Sequence, residues 1–533
     1  MSAEIKVARS TPPSLYANDG DPEELAALGY TPVLKRSFGL VESFSSSFCA
    51  MNFIGVSRTL LYIGLACGGS AAVFASSVIS IVGVGITAAV LAEICSALPI
   101  SGSIYVWASE AAGPRAGRLA GFVVGCVAFN SQAPAQFLLS LLVVFDLEFP
   151  GGLDASSVTY RATLFAVSFA CMWIAIGLNY LPPKWFARTF QFTVALLFLD
   201  LVLSIIWLPI GVSKTYGFRT AKEVFTGRNN GTGFNEAWNW ALSFYYAGNV
   251  ACGYDAAGHI AEETKDASLT AARGIFWSGI SAAFFALVAT ILWLFCIPPD
   301  ELLYSFEAPQ PFVQIWQASL GKGGAVVMTV IAVLGLILST SCAVTASSRL
   351  IFAIARDGIL PGSQWISTPN SAGQPKNAIT VIAGLSSVLL IVSIGSQVAF
   401  SSLLSAAAVT SISAYALISI CRLLVTPNDF KHTRWSLGRW GPPFYVVGFV
   451  YNIFLLTVLY SPLEYPFTAQ TFNFAIVIMM QVYGVTIFAI LSWWFIPAEA
   501  WLRPQLIAAM RAHAEDPAQG EVGPESHTAE VEK

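Results

Sequence analysis

The chain has 533 residues, of which 56% are hydrophobic and 11% charged, and its formal net charge is −4. Soluble globular domains carry about 25% charged residues, so this composition excludes a soluble protein and predicts one that resides in a lipid bilayer. The negative charge, with basic residues that occur singly, excludes a nucleic-acid partner. The nine cysteines lie mostly in apolar runs without a C-x-x-C pair, so we predict buried thiols, no metal and no cofactor.

The order of polar and apolar segments predicts an all-helical membrane protein. The first 37 residues are polar and lack the apolar core of a signal peptide, so we expect a cytoplasmic amino-terminal tail. Twelve apolar segments long enough to cross roughly 30 Å of hydrocarbon follow. The predicted spans are 39–66, 71–98, 119–145, 161–180, 189–211, 236–261, 274–297, 323–348, 377–396, 400–421, 443–461 and 471–496. They define a membrane domain over 38–496, and the acidic tail 497–533 is predicted to be largely disordered.

Lys and Arg residues are distributed unequally between the predicted loops. With the amino terminus inside, 20 of the 27 cations fall in inner segments and 6 in outer segments. The positive-inside rule therefore favours two cytoplasmic termini. The outer loop after the fifth span carries Asn230-Gly231-Thr232, which makes Asn230 a candidate glycosylation site. No sorting signal is legible, so the plasma membrane is the default location, and vacuolar or other internal membranes stay open.

Small and polar residues interrupt the first and sixth predicted spans at mid-depth. Span one reads FSSSFCAMNFIGVSRTLLYIGL and span six reads WNWALSFYYAGNVACGYDAAGHIAEE. One such helix would be explained by close packing through Gly and Ser. Two of them, each opening a half of five spans, favour an inverted repeat with a central binding site, because unwound backbone at membrane depth is tolerated where it lines a cavity.

Three sequence blocks resemble a known family of transporters. They are LGYTPVLKRSFGL before span one, AEICSALPISGSIYVWASEAAGPRAGRLAGF after span two, and GYDAAGHIAEETKDAS, followed in span eight by TASSRLIFAIARDGILP. On these blocks the chain resembles the amino acid-polyamine-organocation superfamily, within its fungal branch of amino acid, GABA and choline permeases. The resemblance implies about twelve transmembrane helices, in a five-plus-five inverted repeat with two additional helices, broken first and sixth helices, and no enzymatic activity.

The resemblance also implies that the two breaks face a substrate. The unwound first span would offer N–H groups and a positive helix end to a carboxylate, and the sixth would offer carbonyls to an amine. The family more commonly has N-S-W-F-G-I-S where this chain has a shorter segment followed by Arg58, which leaves the substrate open. The implied substrate-binding residues are Ala50, Met51, Asn52, Phe53, Ile54, Gly55, Ala251, Cys252, Gly253, Tyr254 and Asp255.

Charged residues at membrane depth are the candidates for ion coupling. An unpaired Arg58 in span one would be very costly, so we expect a partner or a water-filled path. Either Arg58 meets Asp200 or Asp255 and takes part in proton coupling, or it snorkels or forms a static ion pair. His259 lies one helical turn after Asp255 and is either a proton relay or a hydrogen-bonded residue at the inner mouth.

Two further groups of residues are candidates, one for a cation site and one for an inner gate. Ser339 and Thr340 in span eight occupy the region where sodium-coupled relatives of the fold place a hydroxyl-bearing cation site, although small hydroxyl residues also pack helices closely. The fungal resemblance favours a proton over sodium. Glu262 and Glu263 at the cytoplasmic end of span six are expected to pair with Arg or Lys in an inner gate, and Glu93 is interpreted in the same way.

The leading hypothesis is a proton-coupled symporter that imports an amino acid or a related amine such as GABA by alternating access. Its expected partners are a small amino-bearing solute, a proton and the lipid bilayer. No P-loop pattern supports a primary pump, and no cluster suggests an intramembrane enzyme. Choline, a polyamine, or a nutrient sensor of the same fold are the alternatives. Choline would favour aromatic faces such as Phe53, Tyr245, Tyr246 and Tyr254.

Overall fold

The computed structural model describes residues 34–468, apart from residues 35, 105, 108–124, 251, 357–359, 361, 428–432 and 467. Within that part the chain is helical, and paired extended backbone is confined to two isolated bridges, Phe38 with Thr264 and Cys67 with Asn230. The described α-helices are α1 Leu40–Met51, α2 Phe53–Ala66, α3 Gly69–Ala97, α4 Gly125–Val144, α5 Val158–Leu178, α6 Pro183–Lys214, α7 Ala221–Thr226, α8 Glu236–Leu242, α9 Phe244–Val250, α10 Ala256–His259, α11 Ala267–Cys296, α12 Asp300–Leu303, α13 Pro311–Arg356, α14 Ser363–Ile366, α15 Lys376–Gly395, α16 Gln397–Leu424 and α17 Gly441–Tyr460.

The helices agree with the predicted spans. In the described part, eight helical segments are long and apolar enough to cross a membrane, with α1 and α2 counted together. Spans one to eleven each coincide with at least one helix, whereas the predicted span 471–496 and most of both tails lie outside the described residues. The all-helical membrane fold is confirmed. The number of twelve helices and the inverted repeat stay predictions.

One boundary differs from the prediction. Helix α13 begins well before the predicted start of span eight, and a kink at Gly321 divides it, because Gly321 has φ 75° and ψ 177°. Residues before Gly321 form a short helix that the hydropathy of the sequence did not separate from the preceding loop.

Small residues let α3 and α11 pack closely. A Cβ on Gly279 would lie 3.1 Å from the Cβ of Ala88 and 3.3 Å from that of Tyr254. In a bilayer such contacts replace the hydrophobic effect as the force that joins helices, because lipid tails are as apolar as the side chains. The absence of a side chain at Gly279 also lets Tyr254, in the interrupted part of span six, pack against α11.

Backbone hydrogen bonds join the connecting segments to the helix ends. The amides of Ser37 and Phe38 donate to the carbonyl of Glu263 at 2.9 and 3.0 Å, and Lys265 N donates to Phe38 O at 2.9 Å. At the end of α2, Gly231 N donates to Ala66 O at 3.0 Å. The segment before α1 is thus tied to the end of span six, and the loop before α8 to the end of span one.

Candidate functional site

The first break lies at Asn52, between α1 and α2. Asn52 adopts the left-handed conformation, with φ 40° and ψ 57°, and its Oδ1 accepts a hydrogen bond from Gly55 N at 3.1 Å. Asparagine tolerates this conformation because its short polar side chain bonds locally. Gly55 is required for the close approach, since a Cβ there would lie 2.7 Å from Asn52 Nδ2. The predicted interruption of span one is therefore present.

The second break lies between α9, which ends at Val250, and α10, which begins at Ala256. Residues Cys252 to Asp255 are not helical, and Gly253 has φ 105°, a value that side chains disfavour. Ala251, predicted to line the site, lies outside the described residues. In its described residues, the span predicted as one segment over 236–261 consists of three short α-helices, because its small residues permit the chain to unwind.

The two breaks contact each other through α1. A Cβ on Gly253 would lie 3.9 Å from the Cγ of Met51. The hydroxyl of Ser47, one turn earlier in α1, donates to Tyr254 O at 2.7 Å and accepts from Ala257 N at 2.7 Å. Ser47 was not predicted, because the serines that surround it in the sequence are typical of helix packing and mark no position.

Asp255 is buried at the second break and has two side-chain partners. The hydroxyl of Tyr415 in α16 donates to Oδ1 at 2.5 Å, and His259 Nε2 lies 3.2 Å from Oδ2. The other ring nitrogen of His259, Nδ1, lies 3.4 Å from Ser101 O. Both ring nitrogens therefore face acceptors, and an imidazolium has a donor for each while a neutral imidazole has a donor for one.

Aromatic rings lie beside this carboxylate. The rings of Tyr254 and Tyr415 are 5.2 Å apart, with an interplanar angle of 30°. Two other aromatic residues considered for a choline site are engaged elsewhere: the Phe53 ring is 5.4 Å from that of Phe48, and Tyr246 hydrogen bonds with Thr290. Tyr254 is a predicted aromatic residue that lies next to Asp255 in the chain, and Tyr415 is its unpredicted partner.

The implied substrate-binding residues differ in exposure. Met51, Phe53 and Ile54 are fully buried in the apolar core, whereas Ala50 and Cys252 are partly exposed. Asn52, Gly55, Tyr254 and Asp255 are buried too, so in this conformation seven of the residues expected to line a cavity pack against protein. Substrate contact at these residues stays a prediction.

Arg58 pairs with Asp200 and not with Asp255. Its two terminal nitrogens donate to the two carboxylate oxygens at 2.6 and 2.7 Å, and Nη2 also donates to Ser204 Oγ at 2.7 Å. The guanidinium carbon lies 4.9 Å from the ring centroid of Trp293 and 5.0 Å from that of Trp316. The pair is buried, bidentate and enclosed by aromatic faces, which is the geometry of a strong charge-assisted interaction.

The chain is similar to known proteins over most of its length. The family model described as "Amino acid permease" matches residues 38–482. The chain belongs to the amino acid permease family. It is 42% identical to the thiamine transporter thi9 of Schizosaccharomyces pombe, over 92% of this chain and 88% of that one. It is 30% identical to the amino-acid permease BAT1 of Arabidopsis thaliana, over 91% of this chain and 96% of that one.

A manganese transporter of Eremococcus coleocola overlaps 89% of this permease and 95% of its own chain, at a TM-score of 0.48 and 12% identity. In the described part of this permease, no group of three or more His, Cys, Asp or Glu side chains is placed to hold a metal ion. With the family established, the chain is a multi-pass membrane protein and a transporter without enzymatic chemistry.

The hydroxyl residues of span eight are buried in this permease. Thr340 Oγ1 donates to Leu336 O of its own helix at 2.8 Å. Ser339 Oγ is buried, with no hydrogen-bond partner among the described residues. A cation site at these two residues stays a prediction.

Carboxylates near the end of span six pair with arginines of α13. Arg356 binds Glu262 through two hydrogen bonds of 2.8 and 2.9 Å, and Arg349 Nε lies 2.8 Å from Glu263 Oε1. Ser101 N also donates to Glu262 at 3.0 Å. The structure therefore shows the ion pairs expected here, which join the unwound span to span eight.

Two other predicted residues lie away from the breaks. The Asn230 amide donates to Phe234 O at 2.8 Å and to Glu236 Oε1 at 3.1 Å, and its glycosylation stays a prediction. Glu93 in α3 receives a hydrogen bond from Tyr445 and lies 3.3 Å from Arg422. Glu93 therefore joins α3 to α16 and α17.

Proposed function

We propose that this permease transports a small organic cation, with thiamine as the first candidate, and that Asp255 binds its positive charge. One contrast supports this assignment. Five carboxylates are buried among the described residues, and Asp255 is the one whose partners are a tyrosine and a histidine. The other four have an arginine partner: Glu93, Asp200, Glu262 and Glu263. A cationic solute can therefore supply the counter-charge that no arginine of the described residues supplies at Asp255.

The chemistry of thiamine suits the residues at the second break. Thiamine carries a positively charged thiazolium ring joined to an aminopyrimidine, so it offers a cation, an aromatic face and amine donors. Aromatic side chains attract such cations through the negative faces of their rings. Tyr254 and Tyr415 place two rings beside the Asp255 carboxylate. The 42% identity to a thiamine transporter favours the same solute.

An amino acid is the second candidate, and a different observation favours it. Helix α2 begins at the first break, where Asn52 caps Gly55 N, and the positive end of a helix attracts a carboxylate. An amino acid could place its carboxylate there and its amine at Asp255. The 30% identity to an amino-acid permease supports this candidate.

We also propose that a proton is the coupling ion and that His259 carries it. The ring lies between Asp255 and the Ser101 carbonyl, and histidine gains or loses a proton near neutral pH. Uptake should then rise as the external pH falls and should persist when sodium is replaced. Uptake that requires sodium at every pH would contradict this assignment.

The deciding experiment is uptake of radiolabelled thiamine in yeast that lacks its own thiamine uptake. We expect saturable uptake that unlabelled thiamine blocks and that GABA and choline do not. Asp255→Asn should reduce uptake at least about tenfold, since a buried charged contact is lost, whereas exposed Asp154→Asn should not. Block by GABA would favour the second candidate, and unchanged uptake by Asp255→Asn would refute the cation site. A correctly localised protein that transports neither labelled thiamine nor, in the same assay, labelled GABA or choline would favour a nutrient sensor.

We also propose that the protein lies in the plasma membrane with both termini in the cytoplasm. A plasma-membrane permease unit over 38–496 would lie between two cytoplasmic tails, 1–37 and 497–533, as the distribution of cations predicts. This orientation can be tested by adding protease to intact cells that express the protein with a tag at each terminus. Both tags should be protected from cleavage. Cleavage of either tag from outside would contradict it.

A further inference from the structure

The second break leaves two backbone groups without their helical partners. In a continuous α-helix Gly258 N would donate to Tyr254 O, and Ala257 N to Gly253 O. Here Gly258 N donates to Asp255 O at 2.8 Å, and Ala256 N donates to Gly253 O at 3.3 Å. Within a bilayer every backbone polar group must find a partner inside the protein.

Ser47 of α1 supplies both missing partners with one hydroxyl. Its Oγ donates to Tyr254 O and accepts from Ala257 N, each at 2.7 Å. A hydroxyl has one donor and two acceptor lone pairs, so both bonds form at once. Tyr254 and Ala257 flank Asp255 in the chain, and Ser47 is completely buried. The position of the Asp255 backbone is therefore set by α1.

We propose that Ser47 is a positioning residue that orients Asp255 for the transported cation. The inference rests on the proposed function, because it matters for transport only if Asp255 binds the solute. Ser47 does not contact the solute itself. It fixes the backbone that carries the carboxylate, while Tyr415 and His259 hold the carboxylate oxygens.

The chain offers a matched control in the preceding residue of α1. Ser46 is as buried as Ser47, and its hydroxyl donates to Ser43 O of the same helix at 2.8 Å. Ser46→Ala thus removes a buried hydroxyl from the same helix without touching the second break. A difference in KM between Ser46→Ala and Ser47→Ala would therefore arise from the two hydrogen bonds between Ser47 and span six.

The test compares full-length Ser47→Ala, Ser47→Thr and Ser46→Ala in yeast, with thiamine uptake measured over a range of concentrations and normalised to protein in the membrane. We expect Ser47→Ala to raise KM about tenfold with Vmax nearly unchanged, because a solute meets a displaced carboxylate. Ser47→Thr keeps the hydroxyl and should have the wild-type KM, and Ser46→Ala should also have the wild-type KM. If Ser47→Ala lowers the amount of folded protein, Ser47→Cys, with a weaker donor and acceptor, replaces it.

The same measurements separate this inference from the proposed function. If Asp255→Asn leaves thiamine uptake unchanged, the proposed function fails. If Asp255→Asn abolishes uptake while Ser47→Ala and Ser46→Ala share the wild-type KM, the role of Ser47 fails alone. A fall in Vmax at unchanged KM would likewise overturn the positioning role, since it would show an effect on the amount or turnover of the protein.

Discussion

Two buried carboxylates of this permease differ in what neutralises them. Asp200 holds Arg58 through two short hydrogen bonds beside Trp293, and a guanidinium stays charged at any physiological pH. Asp255 has Tyr415 and His259 as partners, and the charge of an imidazole changes near neutral pH. Asp200 therefore has a permanent positive partner that binds both of its carboxylate oxygens, whereas Asp255 has no arginine partner among the described residues. This difference therefore favours a structural role for Asp200 and a role in solute binding for Asp255.

Arg58→Leu gives the largest expected effect, because it leaves Asp200 buried without its cation. Loss of one partner from a buried ion pair costs about 3–5 kcal/mol. We expect a large fall in folded protein, measured by size-exclusion profiles and thermal unfolding in detergent.

The double variant Arg58→Leu with Asp200→Leu is the control for this prediction. Removing both charges from a buried pair is often neutral for stability, so folding should recover. Recovery of uptake with its pH dependence intact would establish that the pair is structural. A folded double variant that has lost pH dependence would instead assign coupling to Arg58 and Asp200, and would break the contrast.

Tyr415→Phe tests the other carboxylate. It removes a hydroxyl that donates to Asp255 at 2.5 Å, and hydrogen bonds to charged groups contribute about 1.5–3 kcal/mol. We expect a lower unfolding temperature, with greater stabilisation by added thiamine than in wild type, since the bound cation replaces the lost donor. Equal stabilisation of both proteins by thiamine would show that the cation does not reach Asp255.

Local signals in the sequence were sufficient to predict the breaks. Asn52 and Gly55 in one span, and Gly253 and Asp255 in another, are small or polar residues inside apolar runs, and each break lies where they occur. Such a signal needs no knowledge of neighbours, because a charge or a flexible residue at membrane depth is unfavourable by itself.

The partners of these residues could not be predicted in the same way. Tyr415 is 160 residues from Asp255, and Ser47 is 210 residues from Ala257. Neither stands out among the many tyrosines and serines of apolar spans. The partner of Arg58 was left open between two carboxylates, since the sequence contains both and only packing selects Asp200. The packing of helices decides which polar groups meet, and the hydrophobic periodicity of the sequence does not encode that packing.

His259→Gln should change the pH dependence of uptake more than its maximum. Glutamine can still donate to Asp255 but does not titrate. If His259 carries the coupled proton, uptake by His259→Gln should no longer rise as the external pH falls, and at acidic pH it should be several-fold below that of wild type. The groups that face the ring are Asp255 and the Ser101 carbonyl. A pH profile of uptake like that of wild type would show that a residue other than His259 carries the coupled proton.

Ser204→Ala gives the smallest expected effect and completes the comparison. The hydroxyl accepts from Arg58 Nη2 at 2.7 Å, but the same nitrogen also donates to Asp200 Oδ1 at 2.6 Å. The guanidinium therefore keeps its charged partner, and we expect a loss of about 1.5 kcal/mol in the free energy of unfolding, the lower end of the range for hydrogen bonds to charged groups, with unchanged uptake. Thermal unfolding of Ser204→Ala beside Tyr415→Phe measures the difference. If Ser204→Ala proved the more harmful variant, Asp200 would depend on more than its arginine, and the division between a fixed and an exchangeable carboxylate would fail.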